Sequence, residues 1–324
     1  MLGTIKAGLA AGLVAILALL PMAASAQAPL SMGTGEAGTP TYTTVLAIAK
    51  AASSQAGLDL RPRPFKGTTQ AVPFVNNSEI DFGLESALGL NQAFTGTGVF
   101  EGPPLDKLRL VGTIFPYRVG FVVRDGDPAR TVADLKGKAV ARAYRSSPNI
   151  TMLTHAMLAT AGLSVDDIEG LDVTTSAEVQ DLFISGSLVA TLGGVDQVNL
   201  PQIEQAVGPI RFLDLTEGPE AEQNARAFVP NARVVTVEPA PGRLGISRPT
   251  LVLEYDFFVY ASIDTPDEAV VGIIDAMVKG KAEMVEMVPA FATLEPAKMS
   301  PEIGVPYHPA AEAHYKELGL WPVQ

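Results

Sequence analysis

The chain has 324 residues, no cysteine and a formal net charge of −12. Without thiols there is no disulfide, no thiolate metal site and no cysteine nucleophile, and an acidic surface of this size repels nucleic-acid phosphates and anionic lipid headgroups. An anionic ligand would also meet an opposing field, so its site has to supply positive potential locally, from backbone N–H groups or a few arginines.

The first element in chain order is an export signal. Lys6 precedes the apolar run Leu9 to Leu20, and Pro21 with Ala23-Ala24-Ser25-Ala26 comes next, before Gln27; this is the charged, apolar and small-residue order of a secretory leader. Ala7 to Leu20 is shorter than the roughly 20 apolar residues that span a bilayer. A leader cleaved near Ala26 is therefore expected rather than an anchor, and with no cysteine to carry lipid the product is expected free in a periplasm. The chain beyond the leader is long enough for two lobes of ordinary domain size.

A glycine-rich turn, Gly33-Thr34-Gly35-Glu36-Ala37-Gly38, enters a helical pattern from Pro40 to Gly57. A strand from Leu58 to Phe65 comes next, then Gly67-Thr68-Thr69-Gln70, a helix from Ala71 to Asn77 and a strand from Ile80 to Leu84. Leu108 to Ile114 and Val119 to Arg124 read as two strands interrupted at Phe115-Pro116-Tyr117, and proline there marks a crossing between lobes. The plan then begins again: a capped turn over Thr131 to Lys138, a strand from Ala139 to Ala143, and a helix from Asn149 to Ala161 opened by Ser146-Ser147-Pro148 and ended by Gly162. Helices are predicted over 177–184 and 201–206, and strands over 188–192, 210–213 and 233–237. Leu251 to Ser262 reads as one long strand returning to the first lobe, ahead of a helical stretch from Asp267 to Phe291. Strands alternating with helices predict α/β sheets with helices on their faces, and lobes joined by strands rather than by a loose linker predict a hinge.

Catalytic signatures are missing. There is no G-x-S-x-G elbow, H-E-x-x-H pair, phosphate-binding loop or dinucleotide fingerprint, so neither an enzyme nor a cofactor is expected. His308 and His314 are six apart across Pro309, His155 sits within a helix, and the acid pairs Asp125/Asp127 and Asp166/Asp167 stand where turns and caps call for aspartate. What recurs is a turn of glycine and hydroxyl residues just before a helix: Gly33-Thr34-Gly35 leading to Tyr42, Gly67-Thr68-Thr69-Gln70, and Arg145-Ser146-Ser147-Pro148-Asn149. The unpaired N–H groups of a first helical turn suit a carboxylate. Each turn alone is an ordinary cap; three of them, two in the first lobe and one in the second, suit a cleft that grips a small anion from both sides.

Four marks in this order resemble the TAXI-type solute receptors of TRAP transporters: Gly33-Thr34-Gly35; Gly67 to Val72 with Ile80-Asp81-Phe82-Gly83-Leu84 after it; Asp134 to Val140; and Tyr307 to Gly319 with its proline, histidine and tyrosine pattern. The resemblance runs from about Ser31 to the C-terminus. It implies a type II periplasmic-binding-protein fold, an α/β architecture with lobe 1 from 27–117 plus 258–324 and lobe 2 from 118–257. It also implies a monomeric receptor that closes on a small organic acid or amino acid, such as glutamate or 2-oxoglutarate, and delivers it to an integral-membrane permease subunit. Departures from the family pattern are Arg145 to Asn149 in place of a glycine-serine-glycine-threonine turn, Tyr42 in place of paired tyrosines, Glu85-Ser86-Ala87 in place of glutamine, serine and aspartate, and Ala310-Ala311 in place of glycine-alanine.

The candidate contacts are Gly33, Thr34, Gly35, Tyr42, Thr68, Thr69 and Ser86 on one side, Ser146, Ser147 and Asn149 on the other, Tyr117 at the crossing, and Gly193-Gly194 where backbone can approach closely. Arg145 and Arg118 offer planar two-donor forks for a carboxylate, Arg118 being equally a solvated surface residue. Glu85 reads either as a partner for an ammonium group or as an exposed rim residue. An ABC importer subunit, a sensor partner, a periplasmic hydrolase and a structural protein stay open as other readings of the same chain.

Overall fold

A computed structural model describes residues 28–321 apart from Ser146 and Val198. The leader expected over Met1 to Ala26, and the candidate contact Ser146, lie outside the described residues.

The chain opens with β1 (Leu30–Thr34), α1 (Pro40–Ala56), β2 (Leu60–Pro64), a 3-10 turn over Thr68–Ala71, α2 (Val72–Asn76), β3 (Phe82–Ser86), α3 (Ala87–Thr95) and β4 (Leu108–Thr113). The middle of the chain forms β5 (Tyr117–Arg124), β6 (Ala139–Tyr144), α4 (Pro148–Thr160), β7 (Glu169–Val173), α5 (Ser176–Ser185), β8 (Thr191–Gly194), α6 (Leu200–Val207), β9 (Ile210–Phe212), α7 (Pro219–Arg226), β10 (Arg233–Val237) and β11 (Thr250–Tyr255). It ends with β12 (Phe257–Ser262), α8 (Asp267–Lys279), α9 (Lys281–Met287) and α10 (Pro309–Glu317).

Two separate five-strand arrangements result. The first sheet has the order β2-β1-β3-β12-β4, with β1 parallel to both neighbours and β12 antiparallel between β3 and β4. In the second, β10-β11-β5-β8 run antiparallel and β9 also pairs with β5, while β6 and β7 form a parallel pair beside it. The chain passes between the sheets twice, at 114–116 and at Asp256. Helices α1, α8 and α9 pack together on the first sheet, and the main apolar core runs from there to Val119, Phe121 and Leu253 of the second.

Local chemistry accounts for the elements. Thr39 caps α1 by accepting the Tyr42 N–H at 3.3 Å, Pro40 occupies the first turn, and Gly57 ends the helix at φ 67°. The buried side chains Val45, Ile48 and Ala52 line one face of that helix, at helical spacing.

The strand and helix order largely agrees with the periodicity, with several corrections. Gly33 and Thr34 end a strand rather than a turn. Glu85 and Ser86 lie inside β3, not beyond it, and Gly193-Gly194 close β8 instead of succeeding it. The single long strand expected over 251–262 is two, because Asp256 leaves the ladder: its backbone carbonyl accepts the Ala87 N–H at 3.0 Å and its carboxylate pairs with Arg233 at 2.7 Å. The stretch from Asp267 to Phe291 is likewise broken, at Gly280, whose backbone approaches Ala51 of α1 too closely for a side chain. Helices α3, α7 and α10 and strand β7 add to the expected set.

Candidate functional site

A cavity of about 660 Å³ lies between the two sheets. One wall comes from the loop and 3-10 turn at Lys66, Gly67, Thr68, Thr69 and Gln70, from Glu85 and Ser86 at the end of β3, and from Leu88 and Val99. The facing wall is the start of α4, with Ser147, Pro148, Asn149, Ile150 and Leu153, joined by Val229. Tyr255 and Phe257, on either side of the Asp256 crossing, close the back.

Glu85 organises the first wall. It is 1% exposed, and both carboxylate oxygens are filled by donors. Oε1 accepts the Ser86 N–H at 2.6 Å and the Ser86 hydroxyl at 2.7 Å; Oε2 accepts the hydroxyls of Thr68 at 2.8 Å and Thr69 at 3.0 Å. Burial pushes its pKa above the ordinary glutamate value, and these four hydrogen bonds oppose the shift without cancelling it. Local structure explains the convergence. Gly67 is extended and leads straight into the 3-10 turn, which presents two successive threonines, and Ser86 both caps α3 by accepting the Gly89 N–H at 3.1 Å and donates back to Glu85. A side chain at Gly89 would collide with the Glu85 carboxylate, so α3 can start this close only on glycine.

Asn149 ties the walls together. Its Nδ2 donates to Thr69 Oγ1 at 3.4 Å across 80 residues of sequence, and its Oδ1 is buried without a partner among the described residues. Pro148 fills the first turn of α4, and the Ser147 side chain makes no capping bond to that turn. Behind the cavity an aromatic cluster stiffens the crossings: Tyr117 packs on Phe115, Phe257 and Tyr255 at centroid distances of 5.4, 4.5 and 6.0 Å. Burial pushes the Tyr117 hydroxyl up to about 12 and that of Tyr255 further. Next to it, Arg233 holds both Glu254 and Asp256, and Arg118 donates to Glu254 at 2.8 Å.

Of the residues singled out from sequence, the cavity gathers Thr68, Thr69, Glu85, Ser86, Ser147 and Asn149. The other described candidates stand outside its lining. Gly33 packs against Ala71, where a side chain would clash; Thr34 is fully buried; the Gly35 N–H donates to Thr41 Oγ1 at 3.3 Å; and Tyr42 is half-buried on α1. Tyr117 lies behind the lining in the aromatic cluster. Gly193 abuts Val122 and the Gly194 N–H donates to Gln197, both within the second sheet's surroundings. The Arg145 side chain is 71% exposed with Asp172 at 4.0 Å, and Arg118 is held by Glu254. The basic side chain that does line the cavity is Lys66, which carries no sequence signal of its own although it directly precedes Gly67. Equally silent in the sequence is the apolar lining of Leu88, Ile150, Leu153, Val229, Tyr255 and Phe257.

The histidines are engaged elsewhere. His155 meets the Arg142 carbonyl at 2.9 Å, His308 caps α10, and His314 pairs with Asp275 at 3.0 Å. Among the described residues no group of three or more His, Asp or Glu side chains is placed to hold a metal ion.

Comparison with solved structures shows the architecture to be shared. PhnD1 from Prochlorococcus marinus (MIT 9301), solved in complex with methylphosphonate, is 13% identical over 90% of this chain and 98% of its own, with a TM-score of 0.52. The periplasmic binding protein BugD is 14% identical over 89% of this chain and 93% of its own, also at 0.52. At these identities the likeness establishes the fold, the mixed α/β, two-lobed type II periplasmic-binding-protein fold. A model of the NMT1-like family matches residues 32–319, from β1 to just past α10. The chain belongs to the NMT1-like family.

Proposed function

We propose that this chain is a periplasmic solute receptor that closes its two lobes on a small carboxylate-bearing solute and delivers it to a membrane permease. The observation that carries the reading is the cavity itself: about 660 Å³, within the range of small-molecule sites, with polar side chains from both walls meeting at the Asn149–Thr69 contact. Neither wall forms the site alone, so a solute touching both stabilises the closed arrangement. A carboxylate is served by Lys66 in the lining and by the Ser147 hydroxyl, which makes no capping bond to α4. The apolar lining accommodates a hydrocarbon portion, which favours an amino acid or a substituted organic acid over an inorganic anion.

The ordered sequence marks that resemble TAXI-type receptors support a TRAP-type permease as the membrane partner. Retention of that permease on the immobilised receptor is the expected outcome; retention of an ATP-hydrolysing importer would reassign the partner and leave the site unchanged. Solute binding is tested by a thermal-shift screen of the protein against amino acids and organic acids. A binder at a hundredfold excess over its Kd is expected to stabilise by about 2.7 kcal/mol. A melt moved by neutral or cationic solutes and by no carboxylate would overturn the assignment.

A further inference from the structure

We infer that Glu85, acting through Thr69, holds Asn149 as a hydrogen-bond acceptor, so that the solute has to offer the second wall a donor such as an ammonium or amide group. The inference rests on the receptor reading and narrows its solute class.

The supply of protons fixes the direction of each bond. Four donors converge on Glu85, two on each oxygen, which is the complement of an ionised carboxylate that only accepts. A hydroxyl owns a single proton. Thr69 gives its proton to Glu85 at 3.0 Å, so towards Asn149 it can only accept. The amide nitrogen of Asn149 is therefore the end that turns to Thr69, at 3.4 Å, and the amide oxygen is left buried and unpartnered beside the cavity. The hydroxyls of Thr68 and Ser86 are committed to Glu85 in the same way, and towards a solute they too present lone pairs. No described lysine or arginine contacts Glu85, so this acceptor-rich pole has no protein cation to satisfy it, while Lys66 in the same lining is left for a carboxylate. A solute with a donor and a carboxylate close together fits both, and an α-amino acid is the simplest such molecule.

Neutralising residue 85 reverses the order. A glutamine there donates from its amide nitrogen to the threonines, freeing the Thr69 proton to turn towards Asn149; the Asn149 amide then presents nitrogen to the cavity instead of oxygen.

The test is calorimetric titration at neutral pH with pairs of probes that differ in the donor alone: L-alanine and pyruvate, L-leucine and 4-methyl-2-oxopentanoate, L-glutamate and 2-oxoglutarate. In at least one pair the amino member is expected to bind tenfold or more tightly than the oxo member, and Glu85→Gln is expected to reduce that ratio at least tenfold. Thr69→Val breaks the connection to Asn149, so adding Glu85→Gln to it should change the ratio several-fold less than in the parent, the remainder coming from Thr68 and Ser86. An oxo acid bound as tightly as its amino partner, or an equal effect of Glu85→Gln with and without Thr69, overturns the inference while the receptor reading stands. So does a solute returned by the broader screen that carries no donor. If no solute binds at all, the receptor reading itself falls. Ligand-free melts check that the variants fold. Should Glu85→Gln not fold, Asn149→Asp replaces it: with oxygen on both arms it should keep or raise the amino preference, and a lowered preference refutes the inference.

Discussion

Burying Glu85 without a cation leaves a thermodynamic signature. Its folded pKa is raised by desolvation above the ordinary 4.5, so the native state binds a proton more tightly than the unfolded chain does. Below the unfolded pKa both states are protonated and the group contributes nothing. As pH rises through the window from 4.5 to the raised folded pKa, the native state is progressively destabilised, and above that window the loss is constant. Glu85→Gln is therefore expected to melt above the parent at about pH 7.5, with the gap closing as pH falls towards 4.5; a gap independent of pH would show that desolvation does not dominate at this carboxylate. At this scale the sequence was informative where turn chemistry is specific. Thr68, Thr69, Ser147 and Asn149 stand in hydroxyl-rich turns at helix starts, a pattern with a physical reason to sit at a cavity, and all four line it. Glu85 was ambiguous, since a glutamate beside serine and alanine reads equally as rim or interior until the strand is known to run through it. Arg145 misled for the opposite reason: a long cationic side chain next to a candidate turn is free to point outwards, and it does.

At the scale of elements, close backbone approaches decide the geometry more than propensity does. Gly83 on β3 lies under the ring of Tyr260 on β12, a fully buried side chain, and Gly112 on β4 receives the hydroxyl end of Tyr315 from α10. Gly83→Ala forces a methyl group into the Tyr260 ring and is expected to cost about 1–3 kcal/mol, read as a lowered denaturant midpoint at unchanged slope. A midpoint equal to the parent's would mean that the two strands separate easily. Elements with caps and clear periodicity, such as α1 and α4, were legible to within a residue or two. The apolar run from Leu251 to Ser262 was not, because nothing in its composition reveals that Asp256, held by Arg233 and by the Ala87 N–H, steps out of one sheet and into another. Short β1 was hidden for a related reason: Ser31, Gly33 and Thr34 are turn formers locally, and only their pairing with β2 and β3 makes them strand.

For the molecule as a whole, two crossings of very different length join the lobes. One is a three-residue passage containing Pro116; the other is the single residue Asp256. The aromatic cluster of Tyr117, Tyr255 and Phe257 packs against both, so under the proposed closure the bend falls there. Addition of a bound solute is expected to lower the radius of gyration in small-angle scattering, and an unchanged scattering curve under saturating solute would argue against hinge closure. The fold class was legible early from alternating strands and helices, whereas the solute was not, because the polarity of the cavity depends on the Asn149–Thr69 contact, between residues 80 positions apart. The placement of β12 has a consequence of its own for how the chain is made. Its slot lies between β3 and β4, which are synthesised about 170 and about 140 residues sooner. Throughout that interval both strands carry an unfilled edge, so the first sheet cannot close until nearly the whole chain has emerged. Such a delay makes the last quarter of the sequence the part that completes the fold begun by the first.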